Sequence, residues 1–215
     1  MNPPDIQAVI WDFGGVITTS PFEAFRRFER ERGLPPDFLR RINASNPDAN
    51  AWARFERNSI DLAAFDAAFA AESAALGHAV RGSEVIALLG GAIRPAMVQA
   101  LRRLKARLQI GLITNNVVAP GASGVDAPGR AEVIALFHHV IESSKVGLRK
   151  PDPAIYRLML DQLQVAPAQA VLLDDLGINL KPARALGLHT IKVDDPDAAL
   201  AQLQALVGIA LRDEA

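Results

Sequence analysis

The sequence predicts an α/β protein, a doubly wound parallel sheet carrying a helical insertion directly after its first strand. Three observations lead there. Short apolar runs ending in polar residues recur along the chain, helical patterns separate them, and one long segment after the first run reads as helices only. Short buried strands alternating with helices imply a mostly parallel sheet covered on both faces. At 215 residues, half of them hydrophobic, the chain is long enough for one domain or one core with a modest insert.

The first run, Ile6 to Trp11, closes on Asp12 and then Phe13-Gly14-Gly15-Val16, the pattern of a buried strand delivering a carboxylate into a tight loop. Three further runs share this character: Leu108–Ile113 before Thr114-Asn115-Asn116, Ala170–Leu173 before Asp174-Asp175, and the weaker His189–Val193 before Asp194-Asp195. Between them, Arg94 to Arg107 carries Met97, Leu101, Leu104 and Leu108 at helical spacing. Asp152-Pro153 and Asp195-Pro196 each open a helix, the second with Gly208 as its stop.

Residues from about Thr18 to Ile93 break the alternation. Ser20-Pro21-Phe22-Glu23 reads as a capping box whose helix stops at Gly33, and Asp61 to Gly77 reads as an alanine-rich helix. The expected division is a core of residues 1–17 and 95–215 and a helical cap of residues 18–94, with Gly90-Gly91 and Pro95 as a hinge. Phe22, Phe25 and Phe28 read as packing between cap helices. Trp52, Arg54 and Phe55 read first as cap packing, and second as a specificity surface. Val117 to Gly129, rich in glycine and proline, reads as a surface loop.

Composition removes several function classes. With 23 basic and 24 acidic residues, net −1, the chain offers no broad attraction to nucleic acid or anionic membrane. The absence of cysteine excludes disulfides, a thiol nucleophile and thiolate metal sites. No apolar run approaches the ~20 residues of a membrane span, and the start lacks a basic leader, so a cytoplasmic protein is expected. The oligomeric state stays open.

In an open parallel sheet, ligands bind at the carboxyl ends of the strands. Asp12, Thr114 with Asn115, and Asp174 with Asp175 should therefore share one crevice, three carboxylates together with a hydroxyl and an amide. Clustered carboxylates repel unless a cation joins them, and an oxygen-only set favours Mg²⁺. Lys150 stands just before a helix start. Together these groups suit phosphoryl transfer, where catalysis is mostly positioning and charge neutralisation. Lys145, Arg149 and Lys181 read as solvated charges, Arg149 being also placed to assist an anionic substrate. His138-His139 reads as a junction into a strand, because neighbouring side chains there point to opposite faces.

The ordered set resembles the four motifs of the haloacid dehalogenase-like hydrolases: Asp12, Thr114-Asn115, Lys150 in Lys-Pro-Asp-Pro, and Asp174-Asp175 with Asn179. At Val146–Pro153 and Leu173–Arg184 it is similar to the subgroup containing the N-terminal phosphatase domain of soluble epoxide hydrolase and a related domain of an acyl-CoA dehydrogenase family member. The resemblance implies a Rossmann-like core and hydrolysis of a small phosphorylated molecule. It makes Asp12 the nucleophile, forming an aspartyl-phosphate. Mg²⁺ would sit on Asp12, the Gly14 carbonyl and Asp175, with Asp174 direct or through water. Thr114, the Asn115 amide and Lys150 would take the phosphate. The departure is Gly14, where the family's phosphatases usually carry an acid/base aspartate. Its loss leaves a rival expectation, a weak or inactive protein that binds a phosphate ligand. The family's metal-free dehalogenases are a further alternative, against which the Asp174-Asp175 pair argues.

Overall fold

The computed structural model describes residues 5–118 and 129–211; residues 119–128, most of the predicted surface loop, lie outside them. Five strands, β1 (Ala8–Trp11), β2 (Gln109–Thr114), β3 (His139–Glu142), β4 (Ala170–Asp174) and β5 (His189–Lys192), form one all-parallel sheet in the order β3-β2-β1-β4-β5. Strand β1 is central, with Trp11 level with Leu112 on one side and Leu173 on the other. The edge strand β3 is the one that the four apolar runs did not include. It has four residues and only Ile141 is fully buried, too weak a pattern to stand out.

Five helices follow β1: α1 (Phe22–Glu31), α2 (Phe38–Ala44), α3 (Ala51–Glu56), α4 (Leu62–Ala75) and α5 (Gly82–Ile86). The remaining six are α6 (Pro95–Lys105), α7 (Arg130–Ile134), α8 (Ser143–Val146), α9 (Pro153–Leu163), α10 (Gly177–Ala185) and α11 (Pro196–Val207). Because strand side chains alternate, β1 sends Val9 and Trp11 to one face and Ala8 and Ile10 to the other. On the first face they meet Met97, Leu101 and Leu104 of α6 and Leu200 and Leu203 of α11. On the second they meet Ile155, Tyr156 and Met159 of α9 and Leu180 of α10. That double cover is what the near-continuous apolar strands require.

Helices α1–α5 pack on one another around a third cluster that includes Phe25, Phe38, Phe55, Phe65 and Phe69, with Phe22, Phe28 and Trp52 partly buried against it. The two chain crossings between this layer and the sheet run side by side. Thr18 bridges Ile93 in antiparallel sense, Thr19 N donates to Ala92 O at 2.8 Å, and Arg94 N donates to Ile17 O at 2.8 Å. Gly91 belongs to this crossing for a steric reason: a Cβ there would stand 2.4 Å from Thr19 O. The pairing also alters the start of α1. No Ser20 capping box forms; Pro21 precedes the first turn, and Ser20 Oγ accepts only a long bond from Phe22 N at 3.4 Å. Thr19, tied to Ala92, sets the path of the chain into the helix, and the predicted cap gives way to it.

Candidate active site

Strand order reverses direction between β1 and β4, and an open sheet forms its ligand crevice at such a point. Both strands end there in an aspartate. Asp12 follows Trp11 in extended conformation, and its Oδ1 accepts from Phe13 N at 2.7 Å. The chain then turns tightly through Phe13–Ile17, closed by Thr18 N donating to Phe13 O at 3.0 Å. Gly15 has φ +78°, and a Cβ on it would lie 2.1 Å from Asp175 Oδ2, so only glycine lets the loop and that carboxylate share the space.

Asp174, the last residue of β4, is fully buried. Its Oδ1 accepts from Leu176 N and Asn179 Nδ2, both at 2.9 Å. Its Oδ2 accepts from Asn179 Nδ2 at 3.1 Å and from Lys150 Nζ at 2.6 Å. Lys150, 1% exposed, lies also 2.8 Å from Asp12 Oδ1 and so joins the two strand ends. Carboxylate oxygens of Asp12, Asp174 and Asp175 fall within 4.8 Å of one another. One ammonium thus faces three carboxylates. The imbalance, added to burial, shows in the proton affinities. Burial raises Asp12 to about 7, with the Asp174 and Asp175 charges adding to the rise and Lys150 opposing it. Burial raises Asp175 to about 6, Asp174 adding and Lys150 opposing. Burial alone would lower Lys150, but Asp12 and Asp174 more than offset it and its ammonium is held firmly charged. Three donors make four hydrogen bonds to Asp174 and occupy its lone pairs, whereas Asp12 and Asp175 keep free ones. Such an oxygen-only donor set fits a hard divalent cation.

Thr114 closes β2, half-buried, and its hydroxyl has no hydrogen-bond partner among the described residues. Asn115 is tied to the backbone of Lys150 on both sides, accepting from Lys150 N at 2.9 Å and donating to Lys150 O at 2.9 Å. Gly14 lies in the turn after Asp12 with ordinary φ of −70°, and a Cβ there would meet nothing within 4 Å. The structure therefore gathers Asp12, Lys150, Asp174 and Asp175 in direct proximity, with Asn115 bonded to Lys150 and Gly14 beside Asp12.

Two contributors, Glu56 and Tyr156, escaped the sequence reading, and a third, Arg149, was read there as a solvated charge also placed to assist an anionic substrate. Arg149 is not a solvated charge: its Nε donates to Glu56 Oε2 of α3 at 2.6 Å, and its side chain is 15% exposed. Glu56 carried no signal beyond an acid in a short, mostly apolar helix. Tyr156 supports the site from behind, its hydroxyl donating to Asn179 O at 2.8 Å; helical spacing marked its neighbours as core but said nothing of that bond. Trp52 and Phe55 pack against Phe65, at ring separations of 5.4 and 4.5 Å, which answers for the packing reading of this segment. Lys145 pairs with Glu142, and Lys181 is exposed.

Comparison with known proteins extends the picture. The family model of haloacid dehalogenase-like hydrolases matches residues 6–187. The chain is 34% identical over 211 residues to mouse acyl-CoA dehydrogenase family member 10, covering 95% of this chain and 19% of that protein. It is 33% identical over 219 residues to pig bifunctional epoxide hydrolase 2, covering 96% of this chain and 40% of that one. The chain thus spans well under half the length of these two relatives. It is also 28% identical to the sesquiterpene phosphatase astK of Aspergillus oryzae, covering 94% of this chain and 97% of that one. Among solved structures, a Bacteroides thetaiotaomicron enzyme of the same family, in complex with magnesium and inorganic phosphate, shares the fold with a TM-score of 0.60 at 20% identity, covering 87% of this chain and 93% of that one. The L-2-haloacid dehalogenase of Xanthobacter autotrophicus does so with 0.59 at 20% identity, covering 95% and 84%. By sequence over most of its length, and by a sheet whose reversal point carries the carboxylates and lysine, this chain belongs to the haloacid dehalogenase-like hydrolases.

Proposed function

We propose that the protein is a Mg²⁺-dependent phosphatase of a small phosphorylated molecule, acting in the cytoplasm through an aspartyl-phosphate on Asp12. One observation carries this reading: a fully buried lysine held between a strand-end aspartate and a second, saturated aspartate, 2.8 and 2.6 Å away. Relatives named as phosphatases, including the sesquiterpene phosphatase and the phosphoglycolate phosphatase of Rhodospirillum rubrum, support it.

In this mechanism an Asp12 carboxylate oxygen attacks phosphorus, the bond to the leaving oxygen breaks, and water later attacks the acyl-phosphate to return Asp12 and release phosphate. Bound Mg²⁺ would neutralise charge between Asp12 and the phosphoryl oxygens, held by Asp12, Asp175 and the Gly14 carbonyl. Asp174, its lone pairs occupied by its hydrogen bonds, anchors Lys150 and would contribute to holding the cation through a water. Lys150 fixes the orientation of Asp12 and offsets the phosphoryl charge. The Thr114 hydroxyl and the Asn115 backbone amide receive the phosphoryl oxygens. The insertion of residues 18–94 serves as a cap over this crevice, and its side chains select the substrate.

A second reading follows from Gly14. With no acid on that residue, an alkoxide leaving group receives no proton from it, and the protein would bind a phosphate ligand while turning it over weakly or not at all. Phosphate release from p-nitrophenyl phosphate and acetyl phosphate, with and without Mg²⁺, decides between the two. Both substrates leave without protonation, so a hydrolase turns them over in Mg²⁺ and the Asp12→Asn variant does not. A protein that binds phosphate yet releases none from either substrate would establish the second reading.

A further inference from the structure

The insertion touches the catalytic machinery at one buried carboxylate. Glu56, 6% exposed at the end of α3, accepts from Arg149 Nε at 2.6 Å, from Asn115 Nδ2 at 3.3 Å and, within its own helix, from Trp52 Nε1 at 2.8 Å. Arg149 is gripped a second time, its NH1 donating to Pro47 O at 3.0 Å. While Asp12 and Asp174 hold the Lys150 ammonium, Arg149 and Asn115 support its backbone: the first is its chain neighbour, and the second brackets it from both sides at 2.9 Å. A single oxygen, Glu56 Oε2, therefore holds both supports of the lysine that faces Asp12.

From this geometry we infer that Glu56 is a positioning residue: seating of the helical layer, through Glu56, sets Asn115 and Lys150 for the phosphate. The inference rests on the phosphatase reading for its kinetic consequence, and on phosphate binding alone for its structural one. Glu56 does not replace the acid absent at Gly14, because three donors already occupy its carboxylate. With the layer unseated, Asn115 Nδ2 keeps its bond to Lys150 O but loses its second acceptor, and Arg149 loses its charge partner. Both are then free to move by the fraction of an ångström to which phosphoryl transfer is sensitive.

Glue between two layers would look the same in a static picture, and Glu29 provides the contrast. It is equally buried, at 3% exposed, and accepts from Asp37 N at 3.0 Å and Leu39 N at 2.9 Å, entirely within the insertion. The experiment compares wild type, Glu56→Gln and Glu29→Gln by melting temperature, by calorimetric affinity for inorganic phosphate in Mg²⁺, and by kcat on p-nitrophenyl phosphate. Expected is a roughly 10-fold loss in both phosphate affinity and kcat for Glu56→Gln. For Glu29→Gln, a lowered melting temperature should come with affinity and kcat within about twofold of wild type. Should Glu56→Gln fail to fold, Arg149→Met removes the same contact from the other side and should give the same loss. Equal effects of the two Gln variants, or phosphate affinity unchanged in Glu56→Gln, overturn the inference. A wild type that binds phosphate without turnover sinks the hydrolase reading while the affinity comparison still decides on Glu56; a wild type that binds none sinks both.

Discussion

The sheet edge and the helical insertion bury polar groups in opposite ways. At the edge, the Asp174 carboxylate, the Lys150 ammonium and the Asn179 amide are sealed in and hold one another. They can be so because β4 delivers Asp174 from a doubly covered sheet, while Lys150 stands just before α9 and Asn179 lies in α10. The insertion is made of helices of 10, 7, 6, 14 and 5 residues, most too short to persist alone, and aromatic packing holds them together. Phe65 is its hub, fully buried, stacked on Phe55 at 4.5 Å and edge-on to Trp52 at 5.4 Å. The contrast is one of means: polar contacts hold charges still in one region, and aromatic packing holds the other together.

Four experiments put that contrast to the test. The largest effect is expected at the edge. Asp12→Asn should lower turnover of p-nitrophenyl phosphate by at least about 10⁴-fold, measured by phosphate release; retained activity would move the nucleophile elsewhere. Next is Phe65→Ala in the insertion, expected to cost about 3–5 kcal/mol in chemical denaturation. If the insertion folds as its own unit, that loss appears as an early separate transition with the sheet's unfolding unmoved. One merged transition would join the two regions into a single cooperative body.

Gly14→Asp comes third. Open space at that position admits a side chain. Turnover of alkyl phosphates, which need a proton on the leaving oxygen, should rise about 10²-fold, while acetyl phosphate should change little. Equal effects on both substrates would defeat the account of Gly14. The smallest effect concerns pH. Asp12 and Asp175, raised to about 7 and about 6, bind protons more tightly folded than unfolded. Their contribution to stability is therefore present below the unfolded value near 4 and is lost as pH rises through 6 and 7. Metal-free protein should lose several degrees of melting temperature between about pH 5 and 8, and Mg²⁺, favouring the ionised pair, should restore them at the upper end. A flat profile would mean that these carboxylates are less buried in solution.

Much of the edge was legible because most of its groups stand at or just after a strand end. A compact apolar run followed by an aspartate is a local pattern, and the doubly wound topology brings such ends together without further instruction. Asp12, Thr114, Asp174 and Asp175 could be read in that way, and Lys150 from its place before a helix start. The edge strand β3 could not, since one buried side chain in four residues leaves no periodicity. The pairing of Glu56 with Arg149 could not either. The two lie 93 positions apart, each looks like an ordinary charge in its own segment, and their pairing exists only once α3 has been folded onto the sheet.

The amino-acid sequence by itself determined the alternation of strands and helices, the insertion after the first strand and the residue types at the crevice. All of these follow from patterns a few residues long. Tertiary structure alone decided that Lys150 would bridge Asp12 and Asp174, that Gly15 must yield its space to Asp175, and that the insertion would reach Asn115 and Arg149 through one carboxylate. Those are contacts between distant segments. Their geometry depends on how the packed layers settle against one another, and no local spacing encodes it.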